Sequence, residues 1–233
     1  MKGVDGIEGA AGLWGDEVVR AWVDGWVVSR GAAPPIVEPW GYTIDVGQAK
    51  HPSRHVFGAA NAGVQEADVR KVAASATGAD VWLKIFDAPD RVAPWLGPEW
   101  WLDPEEGYLM TVPLSSAAPH DLVAPDGYRL RTWTRGGVIR VAVTTADGDW
   151  AARGQIAPTG RTAVADQIET SPDHRRRGLA SLVMRTLTTA AVEQGSELGV
   201  LAGTVEGRAL YEVLGWQVVA RLTSARRKGP TES

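Results

Sequence analysis

Between residues 128 and 194 the apolar pattern changes period once, and that change constrains the fold more than any other feature of the chain. The segments YRLRTW, VIRVAVTT, WAARGQIA and RTAVADQIET are rich in β-branched residues, and TRGG, ADGD and PTG between them are turn chemistry. They predict four strands in an antiparallel meander. From about 178 to 194 the apolar positions switch to helical spacing. Leu179, Leu182, Val183, Leu187, Ala190 and Ala191 share one face, Arg185, Thr188 and Glu193 the other, and Gly195 ends the run. The junction between the two periods is SPDHRRRGLA, residues 171–180. A strand that stops near Thr170 and a helix that starts near Gly178 leave the first amides of the helix without partners, at the positive end of its dipole. Gly178 permits close approach to the backbone, Ala180 keeps the approach clear, and arginine donors match phosphate oxygens. The junction predicts a phosphate or pyrophosphate cradle.

Two other readings of Arg175, Arg176 and Arg177 compete with this one. A nucleic-acid patch is disfavoured because the net charge is -4 and no basic-aromatic alternation recurs elsewhere. An idle solvated turn is the ordinary fate of a charge run, but here strand, Arg-x-x-Gly-x-Ala and periodic helix follow in order. A P-loop is excluded because Gly-Lys-Ser/Thr is missing, and a dinucleotide fingerprint because Gly-x-Gly-x-x-Gly is missing. The chain has no cysteine, so thiolate metal sites and disulfides are excluded. No run approaches the length of a membrane span, and MKGVDGIEGAAGLWGDEVV lacks a signal-peptide core. The expectation is a cytoplasmic protein with no membrane and no nucleic-acid partner; arginine and alanine usage suggests a bacterial source.

The first half reads differently. Residues 16–30 put Val18, Val19, Trp22, Val23, Trp26 and Val27 on one helical stripe, with Asp16 as a cap. GYTIDV and SRHVFGA read as strands, 63–78 as a helix, ADVWLKIF as a buried strand, PDRVAPWLG as a short helical turn and EEGYLMTVPL as another strand. Residues 115–127 read as a linker. Of 11 tryptophans, eight fall in this half. They serve either as core or as the wall of an aromatic pocket. Strand, helix, strand, short helix, Leu-Gly and strand recur in both halves, which suggests an internal duplication. His51 and His55 are four apart without a third ligand, so no metal site is expected.

SPDHRRRGLASLVM followed by LYEVLGW resembles the GNAT superfamily of acyl-CoA-dependent N-acetyltransferases. The family loop Gln/Arg-x-x-Gly-x-Gly/Ala matches at Arg175, Gly178 and Ala180, and the later Leu-Tyr element at Leu210, Tyr211, Gly215 and Trp216. The resemblance covers roughly 128–225. It implies an α+β fold with a mixed sheet and a GNAT-like core in residues 121–233, ending in a disordered tail at 228–233; it does not cover residues 1–120, where the recurring order of elements suggests a smaller, degenerate GNAT-like half. It implies acetyl-CoA as cosubstrate, no metal, and direct transfer of the acetyl group to a primary amine of a small molecule, peptide or protein. A homodimer is compatible with it. The alternative is a non-catalytic acyl-CoA-binding module of the same fold. The loop amides with Arg175, Arg176, Arg177, Gly178, Leu179, Ala180 and Ser181 would hold the pyrophosphate. Ile168 and Thr170 would meet the pantetheine through their backbones, and Tyr211 would protonate the leaving thiolate. His174 would touch CoA phosphate. Glu169 is the preferred base. Asp166 lies nearby but, by strict alternation, on the other face of its strand. Two departures stand out. The helices that normally follow the first strand are missing, so the tryptophan-rich half is expected to supply part of the acceptor wall. TVEGRALY lacks the asparagine many relatives carry.

Overall fold

The computed structural model describes residues 15–115 and 122–229. Trp14, the centre of the expected linker and residues 230–233 of the expected tail lie outside them. The first half runs α1 (Gly15–Arg30), β1 (Ile36–Glu38), β2 (Gly41–Gln48), β3 (His51–Ala60), α2 (Glu66–Ser75), β4 (Trp82–Phe86), α3 (Pro89–Val92), β5 (Trp100–Leu102) and β6 (Gly107–Pro113). The second runs β7 (Tyr128–Arg135), β8 (Val138–Thr145), β9 (Trp150–Thr159), β10 (Thr162–Thr170), α4 (Leu179–Glu193), β11 (Leu198–Thr204), α5 (Val205–Val213) and β12 (Gln217–Arg227). The expected meander is present as β7 to β10, antiparallel throughout. The expected helix 63–78 is shorter, because Gln65 and Ala76 at its ends are extended. β1 and β5, three residues each, were too short to leave a periodic signal.

All twelve strands join one mixed sheet in the order β1-β2-β3-β4-β12-β6-β11-β10-β9-β8-β7, with β5 paired to β12. The two halves are interleaved within it. β6, from the first half, lies between β11 and the first part of β12. The last residues of β12, Thr223 to Arg227, cross into the first half and lie between β4 and β5. Each half therefore gives the other the strand that closes its sheet, and the division expected near residue 120 falls between two interlocked units. The order strand, strand, helix, strand, short helix, strand holds from β9 to β12, and from β2 to β6 with the short β5 added before the last strand. The two parallel pairings, β3 with β4 and β10 with β11, occupy equivalent places in that order.

Alternation along the strands divides the core. Ala163 and Ala165 join the cluster beneath α4, while Val164 between them joins the cluster beneath α1. In the first half Leu83 and Ile85 pack toward α2, and Phe86 and Val56 toward α1. α1 thus covers one face of the sheet across the seam, and α2 and α4 cover the other. This answers the missing family helices. β7 turns into β8 through Gly136 and Gly137, both with positive φ (61° and 75°), as a two-residue hairpin requires. The face they leave bare is covered by α1.

Close approach of α1 depends on Gly25. A Cβ there would lie 2.3 Å from Val164 Cγ2. Glycine in a helix interior costs about 1 kcal/mol relative to alanine, so an exposed Gly25 would be improved by Ala. Here the expected outcome is reversed. Gly25→Ala should destabilise the protein by about 1–3 kcal/mol through overpacking, read as a lower midpoint in urea with an unchanged slope.

Candidate active site

The junction at 171–178 folds tightly. Pro172–His174 form a single 3-10 turn, Arg175 is extended, Arg176 has φ +59°, and Gly178 has φ +76° at the cap of α4. A left-handed arginine is uncommon and marks a backbone held for a purpose. The first internal bond of α4 is Leu182 N–H to Gly178 O, 3.0 Å. Among the described residues, no backbone acceptor serves the amides from Arg176 to Ser181. They face a cleft of about 840 Å³ lined by Ile168, Glu169, Thr170, Arg175, Arg176, Gly178, Leu179, Ala180, Ser181 and Tyr211. The structure thus gathers ten of the eleven residues singled out in the sequence around one cavity.

Arg177 is the exception. Its guanidinium donates to Tyr128 Oη (2.8 Å) and to Asp173 O (3.1 Å), and Tyr128 Oη also meets His174 Nδ1 at 2.9 Å. This arginine ties the loop to the start of β7 and does not line the cleft, a geometry the sequence run could not separate from that of its two neighbours.

The cleft opens because two strands part. β10 pairs with β11 only from Thr162 to Ala165. Beyond that point β10 keeps β9 and β11 keeps β6, so a wedge forms between them. The departure begins at a bulge between Asp166 and Glu169, with Gln167 at φ +54°. The bulge corrects the alternation argument. Asp166 lies opposite Gln155 and Glu169 opposite Arg153, two residues apart on β9, so both carboxylates share a face. Their surroundings differ. Asp166 accepts from Ser29 Oγ (2.7 Å), from Arg30 Nε (2.5 Å) and a second Arg30 nitrogen (2.8 Å), and from the Gln167 amide (2.9 Å). These four donors occupy the hydrogen-bonding sites of its two oxygens. Glu169 receives both Arg153 contacts on Oε2, at 3.1 and 2.8 Å, which leaves Oε1 open.

Tyr211 is set by packing. Thr204 caps α5 by accepting from the Gly207 amide at 3.2 Å. The Tyr211 ring then rests against Gly203 and Gly207, where added Cβ atoms would come within 2.7 and 2.9 Å of it. Its ring centroid lies 6.2 Å from that of Trp216. The side chain is 8% exposed. Burial, followed by the charge of Asp166, pushes the phenol up to about 12.

On the α1 side of the seam lies a second cavity of about 220 Å³, and Thr204 lines both. Its walls include Trp22 and Trp26, so these tryptophans are at once core and lining. Arg54 and Lys84 also reach it. Arg54 is 7% exposed and stacks 3.9 Å from the Trp26 centroid. Burial and Arg30 lower it to about 9, against the pull of Asp166. Lys84 donates to Ser224 Oγ at 2.7 Å, and burial, then Arg54, hold its ammonium well below the usual lysine range. The sequence reading missed both cations. Their one signal was a charge inside an otherwise apolar strand, in SRHVF and VWLKIF.

The equivalent loop of the first half offers no second anion site. α2 begins with Glu66 and Asp68, which repel phosphate from its amides. Among the described residues no three His, Cys, Asp or Glu side chains converge as a metal site. No helix among them is long and apolar enough to cross a membrane.

A family model described as FR47-like protein, which is GNAT-related, matches residues 151–225, the span from β9 to β12. Solved structures match more of the chain. A GCN5-related N-acetyltransferase from Kribbella flavida is 17% identical, aligned over 92% of this chain and 96% of that one, with a TM-score of 0.64. The chain has the GNAT fold. A GNAT-family protein from Novosphingobium aromaticivorans (19% identical, 92% and 98% covered, TM-score 0.56) and a GCN5-related N-acetyltransferase-like protein from Streptococcus suis (13%, 92% and 94%, 0.56) share it over the same length. No curated relative matches. Because these alignments take in both halves, the GNAT likeness extends over the interleaved sheet as a whole.

His51 carries a measurable consequence of the second cavity. Burial, then Arg54, Lys84 and Arg30, lower it to about 3. A depressed group lends stability above its unfolded value near 6.5 and loses it as pH falls toward the folded value. His51→Gln should therefore flatten the fall in melting temperature between pH 6.5 and 4, leaving the melting temperature at pH 8 little changed.

Proposed function

We propose that the protein is an N-acetyltransferase that moves an acetyl group from acetyl-CoA to a primary amine by direct attack. The observation that carries this reading is the row of unpartnered amides from Arg176 to Ser181 above the wedge between β10 and β11. Such amides, at a helix start and through alternating left-handed residues, suit a pyrophosphate. Arg175 and Arg176 add charge from the rim. Bound acetyl-CoA would supply an activated thioester carbonyl and a good leaving group. The chain's own contributions are position and protons. The unpaired edges of β10 and β11 offer backbone groups to an extended arm and an N–H to a developing oxyanion. Tyr211 holds a proton at Oη throughout the neutral range, where a departing thiolate needs one. Glu169 Oε1 is open on the cleft to take the proton an ammonium must lose.

Five measurements test this. Acetyl-CoA should raise the melting temperature of the full chain; no shift would remove the central claim. Stabilisation without CoA release on any amine of a broad panel would instead favour an acyl-CoA-binding module. Tyr211→Phe should lower kcat by roughly tenfold to a thousandfold with little change in the KM for acetyl-CoA, and Glu169→Gln should lower kcat/KM by about tenfold or more. With the phenol near 12, wild-type kcat should show no alkaline decline due to Tyr211 below about pH 11.

A further inference from the structure

We propose that the second cavity is the acceptor subsite and that its ligand is a small primary amine bearing a carboxylate, an amino acid or a close analogue, with the carboxylate seated between Arg54 and Lys84. The inference rests on the acetyltransferase reading above and names the acceptor class for that same site.

Three observations lead to it. The first is a pair of cations without a contacting carboxylate. Arg54 is almost fully buried, yet among the described residues its only hydrogen bond is from Nε to His51 Nε2 at 3.3 Å. Lys84 bonds Ser224 and lies 4.7 Å from the Trp82 ring. Among the described residues neither cation has a carboxylate within 4.0 Å, although ten such pairs form elsewhere among them. Buried cations normally come paired, because desolvation penalises a lone charge. Four acids line the cavity: Asp166 is engaged by Arg30 and Ser29 and Glu106 by Arg221 and Tyr108, while Asp103, which accepts from the Glu105 amide, and Glu105 stay beyond ion-pair distance of both cations. An anion from outside would complete the cluster, and its charge would stabilise the charged form of Lys84.

The second observation is register. Arg54 pairs with Trp82, and Lys84 with both Val56 and Ser224, so Arg54 and Lys84 stand on one face of adjacent strands. Arg54 presents a planar fork suited to a carboxylate and Lys84 a point charge beside it. The third is size and direction. The cavity, about 220 Å³, is smaller than the roughly 300–1,000 Å³ of pockets for drug-sized ligands. It suits a molecule of amino-acid size and excludes a folded protein surface. It shares the lining residue Thr204 with the proposed acyl-donor cleft. A ligand anchored by its carboxylate at the first-half end would direct its amine toward that residue. Trp22 and Trp26 would meet its apolar part.

The test uses matched pairs on the full chain: L-phenylalanine against 2-phenylethylamine, L-leucine against 3-methylbutylamine, and 4-aminobutyrate against butylamine. CoA release is measured with saturating acetyl-CoA, and thermal shift is measured with each amine alone. At least one acid should exceed its decarboxylated partner by a hundredfold or more in kcat/KM. Lys84→Met and Arg54→Gln should each raise the KM of that acid tenfold or more, with the acetyl-CoA thermal shift retained as the check on folding. If Arg54→Gln fails to fold, Lys84→Met and the wild-type pairs still decide. Decarboxylated amines used as well as the acids, a preference that survives Lys84→Met, or no acid that binds or reacts, would each overturn the proposal. Failure of acetyl-CoA to stabilise the chain would overturn the parent reading instead, and amino-acid binding in its absence would still report on the cavity.

Discussion

The sheet depends on one strand that belongs to both halves. β12 pairs with β6 over its first residues and with β4 and β5 over its last. Without β12, β4 and β6 would each present an open edge, and open edges invite wrong pairings. With it, the two halves become one surface that α1 can cover. Thr204 on β11, near the seam so formed, lines both cavities.

The halves contribute different chemistry to that seam. The cleft at the start of α4 is made largely of backbone: a wedge between parallel strands, a bulge at Gln167, and amides left open at the start of the helix. Such features tolerate many side chains provided that Gly178 keeps its conformation. The other side is made largely of side chains on α1, β3 and β4, among them Trp22, Trp26, Arg54 and Lys84. This division suits an enzyme whose donor is constant and whose acceptor is particular.

The same division explains what the sequence disclosed. The loop and Tyr211 were legible because backbone cradles require glycine, small residues and helical periodicity at short range. Arg177 was not separable from Arg175 and Arg176, since its bond to Tyr128 spans 49 residues. The relation of Asp166 to Glu169 was misread because a bulge leaves no trace in strict alternation. The first-half strands were mostly visible, but their exchange with the second half was not, since strand order depends on contacts far apart in the chain. Arg54 and Lys84 fell in the same gap. A charge within a buried strand is visible in the sequence, but whether a carboxylate faces it is decided by the fold.

The path of β12 also bears on how the molecule comes into being. β12 follows every other strand in the chain. On a ribosome, the elements before it can gather as local hairpins and helices, but the gap between β4 and β5 and the far side of β6 stay unfilled until β12 emerges. The two halves would then lock together in a late step governed by long-range pairing, which is slow. Until that step the nascent chain carries adhesive edges, so assembly of the seam and protection from aggregation would be the same event.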